Sequence, residues 1–133
     1  MYQKIKQIVS CILFFSFTST FSQEETIILD CKKFRSGKYT YQEASYKSVI
    51  VTRNTEEQVE HELISGLIVK YNIDWISDCE YVLTQFWSNN IAVAKLNGSK
   101  IYVKIIQILG DKYKYEAKQN DVLSSFTMIK VNK

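Results

Sequence analysis

His61 is the only histidine of the chain, and it stands among Glu56, Glu57, Glu60 and Glu62. Histidine beside paired carboxylates could carry general acid and base chemistry. Position on a strand argues against convergence, because side chains alternate between faces: Val59, His61 and Leu63 are expected inward, with Gln58, Glu60 and Glu62 outward along a solvated acidic edge. A zinc site lacks soft ligands once Cys31 and Cys79 are oxidised. The chain also has no glycine-rich phosphate loop and no nucleophile elbow. The residues therefore suggest a non-enzyme, with no catalytic residue, no metal and no cofactor.

The less ordinary cluster is Arg53 with Gln58 and Glu60. If residues 54 to 57 form a loop, Arg53 faces Gln58 across a hairpin and Glu60 lies diagonally on the same side. As an exposed pair the charges contribute only about 0 to 1 kcal/mol, and Arg53→Ala would change stability little. Turned inward, Arg53, Gln58 and Glu60 could fix the polar head of a ligand whose body lies among Tyr71, Trp75 and Tyr81.

Cysteine usage and charge bound the setting. Residues 1–22 carry Lys4 and Lys6, an apolar stretch from Ile8 to Phe17, and small residues at Thr20 and Ser22. This three-part plan is that of a secretory signal peptide, placing the new N-terminus at Gln23. Cleavage removes Cys11 and leaves one domain of 111 residues, 23–133, with 15 basic against 14 acidic side chains. Near-neutrality argues against a nucleic-acid partner. Export to a periplasmic or extracellular compartment favours a disulfide between Cys31 and Cys79. Asp78 and Glu80 flank Cys79 and would disfavour the thiolate that a reactive cysteine needs.

These groups have to be positioned by strands. Leu67, Val69, Tyr71, Ile73 and Trp75 alternate with Lys70, Asn72 and Asp74, which is period two. In the run from Cys79 to Trp87, Val82 and Phe86 make the second face apolar as well, so a strand covered on both sides is expected. Asn97-Gly98 suits a two-residue hairpin between strands IAVAK and KIYVKII. Residues 55–65 fit either a capped helix or a strand, the strand agreeing better with strand neighbours and short turns. Glu24 to Phe34 reads as a short helix or extended lead-in. Turn signals about ten residues apart point to an all-β antiparallel meander of seven to nine strands, a small barrel or a sandwich.

The pattern CKKFRSGKY at 31–39, with Arg53, QVE at 58–60 and YNIDWISDCEYVL at 71–83, resembles a group of uncharacterised small secreted proteins of the Bacteroidota. Some members carry a DNA topoisomerase label, which an exported, nearly neutral domain of this size gives no reason to accept. FRSGKY also resembles the opening of a lipocalin-like barrel, with Gly37 and Tyr39 in the matching places and tyrosine where that family usually has tryptophan. The second resemblance implies a lipocalin-like barrel; with export and aromatic lining it suggests a monomer binding a small apolar ligand, and no segment after the signal carries an apolar run long enough to span a membrane. The alternative is a structural or interaction module, with a filled core and an envelope protein as partner. An interior with no cavity above water size would favour the alternative.

Overall fold

A computed structural model describes residues 28–131; the signal-peptide expectation for residues 1–22 lies outside them. Eight strands follow in chain order: β1 (Gly37–Tyr41), β2 (Val49–Arg53), β3 (Glu57–Glu62), β4 (Ile68–Trp75), β5 (Glu80–Ser88), β6 (Lys100–Leu109), β7 (Lys112–Gln119) and β8 (Val122–Lys130). Each pairs antiparallel with the next, and β8 returns to β1 through Tyr39 opposite Lys130 and Tyr41 opposite Met128. The meander is thus a closed barrel, not a sandwich. Closure removes the unpaired edges that an open sheet would present.

Alternation sets the interior. Val69, Tyr71 and Ile73 of β4 are buried, as are Val103 and Ile105 of β6 and Tyr113 and Tyr115 of β7. The expectation that both faces of β5 are covered holds only in part: Val82 is buried, while Phe86 is 40% exposed. Phe86 is the extra residue of a bulge, because Lys70 pairs with Trp87 while Tyr71 pairs with Gln85. The extra residue changes the inward parity, from Tyr81, Leu83 and Gln85 before the bulge to Ser88 after it, and leaves Phe86 and Trp87 outside.

Residues 57–62 form the strand β3, with the opposite facing from that expected. Gln58 is buried and Glu60 lies deep in the barrel, while Val59 and His61 turn outward and remain half-buried. The register decides this: Arg53 pairs with Gln58 and Val51 with Glu60. Asn54 Oδ1 accepts from the Glu56 and Glu57 amides at 2.9 and 2.8 Å and fixes the connection. A one-residue slip would send the whole set to the other face.

The two-residue hairpin at Asn97-Gly98 does not form. IAVA is a short helix, α1 (Ile91–Ala94), whose Val93 amide is capped by Asn90 Oδ1 at 3.1 Å. Buried Gln85 reaches up from β5, and its Nε2 donates to Val93 O at 2.8 Å and to Asn97 Oδ1 at 3.0 Å. These bonds hold residues 89–99 as a helical loop in place of a strand and tight turn. Gly98 does adopt a positive φ of 94°. Two-residue turns fall instead at Gly110 and Asp111, between paired Leu109 and Lys112, and at Asn120 and Asp121, φ 49° and 63°, between paired Gln119 and Val122.

The lead-in closes one end. Lys32–Phe34 form one turn of 3₁₀ helix, and the Phe34 ring is fully buried 4.6 Å from that of Tyr113. A disulfide joins Cys31 to Cys79, with Cα atoms 5.2 Å apart. The sequence separation of 48 corresponds to about 4 kcal/mol of loop-closure stabilisation in the chain-entropy model. Arg35 adds a second link, its Nη2 3.3 Å from Asp78 Oδ1 and its guanidinium 4.8 Å from the Trp75 ring.

Candidate functional site

Two structures occupy the barrel interior, a polar knot at the closed end and a cavity toward the other. Arg53, the last residue of β2, is 3% exposed. Its Nη1 donates to Phe34 O at 2.8 Å, Nη2 to the hydroxyls of Tyr81 at 3.1 Å and Tyr113 at 2.9 Å, and Nε to Gln58 Oε1 at 2.9 Å. The guanidinium also lies 4.8 Å from the Tyr39 ring and 5.0 Å from that of Tyr81. Burial works against the charge, but the Tyr113 and Tyr81 oxygens around it keep it protonated. A planar fork with several donors suits such a site, whereas a lysine ammonium could not bond in as many directions.

The polar chain continues upward. Gln58 Nε2 donates to Glu60 Oε1 at 3.0 Å, and the Tyr41 hydroxyl stands 3.5 Å from the same oxygen. Tyr115 Oη lies 3.5 Å from Tyr41 Oη. Burial raises the Glu60 carboxyl above its ordinary range, against the lowering effects of Gln58 and Arg53. Burial likewise raises Tyr41 well above a free phenol, and Tyr71 and Tyr115 follow for the same reason.

Above Arg53 the interior is not filled. One lobe of about 470 Å³ runs from Gln58, Tyr71 and Tyr81 past Leu83, Val103 and Tyr115 to Ala117 and Met128. A second, of about 440 Å³, lies under the β1–β2 connection among Tyr46, Ser48, Val49, Glu62, Leu67 and Val69. Tyr41, Glu60 and Phe126 line both lobes and form the partition between them. Larger than a water site, each lobe falls in the size range of small-molecule pockets. Small eight-stranded barrels can hold one small ligand in this way.

The expected ligand residues divide between the two regions. Gln58, Glu60, Tyr71 and Tyr81 line the cavity. Arg53 is sealed below it by Phe34, Tyr39, Tyr81 and Tyr113. Trp75 lies at the closed end between Arg35 and Tyr81, its ring 4.6 Å from that of Tyr81. The expectation of an exposed Arg53 pair therefore gives way to a buried, multiply bonded cation. The carboxylates also separate: Glu60 is internal, while Glu62 at the other end accepts from Ser48 Oγ at 2.5 Å, from the Ser65 amide at 2.6 Å and from Ser65 Oγ. These bonds, Ser48 first, hold Glu62 down to about 2.

Sequence reasoning did not single out Tyr46, Phe126 or Glu62 as part of a ligand site. The alternation of Tyr39 with Tyr41 and of Tyr113 with Tyr115 was visible in the sequence, but it marks a strand face and does not separate filled from open levels of a barrel.

No family model matches this chain, and no curated protein or solved structure does so either.

Proposed function

We propose that this protein is an exported, lipocalin-like binding module that takes one small, predominantly apolar ligand into the open part of its barrel. The observation that carries the reading is the unfilled interior above the Arg53 knot, walled by Tyr41, Tyr71, Leu83, Val103, Tyr115 and Phe126. An aromatic and aliphatic wall with a few polar groups is the usual composition of a small-molecule site. Export to the periplasm or the extracellular space is supported by the Cys31–Cys79 disulfide. Among the described residues no helix is long and apolar enough to cross a membrane. The alternative, an envelope interaction module, would need a filled core, and the cavity weighs against it.

The test is native mass spectrometry of the protein recovered from its own cells without denaturation. A single small organic adduct per chain, absent from an Ala117→Trp variant whose indole fills the larger lobe, supports binding. An adduct that persists in that variant lies outside the larger lobe, in the smaller lobe or elsewhere on the molecule.

A further inference from the structure

We propose that the ligand of this cavity is an organic ammonium ion, a protonated amine whose charge meets the Glu60 carboxylate and whose hydrocarbon body lies among the rings of Tyr41, Tyr46 and Phe126. This rests on the binding-module reading and adds the chemical class.

The wall has one sign of charge. Glu60 and Glu62 both line the smaller lobe, and among the described residues no lysine or arginine lines either lobe. The one interior cation near them, Arg53, is engaged by Phe34 O, Gln58, Tyr81 and Tyr113 and does not reach the cavity. An anionic ligand would find no cation there and would stand against Glu60. Like charges brought together in a partly desolvated site cost affinity.

Glu60 is also half-partnered. Its two bonds both go to Oε1. Among the described residues Oε2 has no donor, and it is not among the sealed polar atoms of the barrel. It therefore opens on the cavity, which Glu60 lines on both sides of the partition. A buried carboxylate with a vacant oxygen is better satisfied by a charged donor than by a neutral one.

The rings beside it form one packed cluster that lines the smaller lobe. Tyr41 and Tyr46 have centroids 5.5 Å apart, Tyr46 and Phe126 5.6 Å, and Tyr41 and Phe126 6.1 Å, with planes inclined at 48°, 80° and 76°. Rings packed in this way wall the lobe beside Glu60 with aromatic surface, against which an ammonium ion and its hydrocarbon body can lie, since a cation is attracted to the face of an aromatic ring. Tyrosine hydroxyls at the same level add acceptor oxygens that burial keeps un-ionised.

The proposal fixes a pH dependence. The groups around Glu60 are Tyr41 of β1, Arg53 of β2 through Gln58, Tyr71 of β4, Tyr81 of β5, Tyr115 of β7, and ionised Glu62 at the open end. The tyrosines stay neutral and Arg53 stays charged, so Glu60, whose carboxyl burial raises, is the group whose titration alters the cavity. Ammonium affinity is full once Glu60 is ionised and falls as pH drops through its value in the free protein.

Three matched probes test this by isothermal titration calorimetry: 2-phenylethylammonium, 2-phenylethanol and 3-phenylpropanoate. At neutral pH the ammonium binds about tenfold or more tighter than the alcohol, the difference expected of one charge-assisted contact, and the carboxylate binds weakest. In Glu60→Gln the ratio of ammonium to alcohol affinity falls to near one. The wild-type ratio stands as a measurement by itself, independent of how the variant folds. An alcohol that binds as well as the ammonium overturns the ammonium class and leaves the apolar cavity standing, as does a preference that survives in Glu60→Gln. If none of the three binds, the binding-module reading fails and takes this inference with it.

Discussion

Arg53 and Glu60 are joined through one side chain: Gln58 accepts from Arg53 Nε at 2.9 Å and donates to Glu60 at 3.0 Å. The intervening amide keeps cation and carboxylate in different surroundings. Arg53 is locked among rings at the closed end, while Glu60 remains deep but open to the cavity. Had they met directly, the carboxylate would have been consumed by a buried ion pair. Separation leaves it available to a ligand.

Arg53→Ala would leave Phe34 O, Gln58 and two tyrosine hydroxyls without their donor in a dry interior. Breaking such a buried charged network costs roughly 3 to 5 kcal/mol. Thermal or urea unfolding should register that loss, and Arg53→Lys should recover only part of it, since an ammonium cannot reproduce the fork. A melting temperature unchanged in Arg53→Ala would mean that the guanidinium is not the tie described.

Glu60 contributes the opposite sign. Its carboxyl is raised in the folded protein, so between its unfolded value and its folded one the native state binds more protons than the unfolded state. Stability contributed by this group is thus present below the unfolded value and lost as pH rises through the folded one. Glu60→Gln should be more stable than wild type at neutral pH, and the gap should close in acid. Glu62 runs the other way: held to about 2, it contributes stability above its unfolded value that disappears as pH falls toward 2. Unfolding curves of Glu60→Gln and Glu62→Gln between pH 2 and pH 7.5 would separate the two, and parallel pH profiles for wild type and Glu60→Gln would contradict the burial of Glu60.

Much of the fold is legible in residue order. Alternation in 67–75 marks β4, and the loop between Arg53 and Gln58 places their pairing one residue against the other. The facing of β3 was not legible, because Val59 and His61 look more apolar than Gln58 and Glu60. Only the demand of the buried Arg53 for an acceptor turns Gln58 inward, and that demand depends on Tyr81 and Tyr113, 28 and 60 residues away. The Asn97-Gly98 turn was misread for a related reason. Gln85 and Asn90 supply bonds that favour a helical loop, and neither bond is apparent from a dipeptide.

A two-residue turn with both residues at positive φ joins β7 and β8 at Asn120 and Asp121. Asp121→Val places a β-branched side chain where φ is 63°, and the expected loss is on the order of 1 kcal/mol or more. Asp121→Gly relieves that conformation and should leave stability equal or higher. Denaturant midpoints that rank valine above glycine at this position would contradict the assigned turn.

Cys31 and Cys79 are joined, so a protein comprising residues 23–133, which lacks Cys11, should show no titratable thiol under denaturing, non-reducing conditions. Cys79→Ser should lose up to about 4 kcal/mol, the loop-closure value for this separation. Two reactive thiols per chain would refute the link.

The most direct measurement is a fluorescence titration with N-phenyl-1-naphthylamine, an uncharged apolar dye that brightens on leaving water. The account predicts saturable enhancement at one dye per chain, abolished in Ala117→Trp although that variant keeps the disulfide and the strand-dominated circular dichroism of the wild type. No saturable enhancement in the wild type would contradict a ligand cavity inside the barrel, and undiminished enhancement in Ala117→Trp would contradict its placement in the larger lobe.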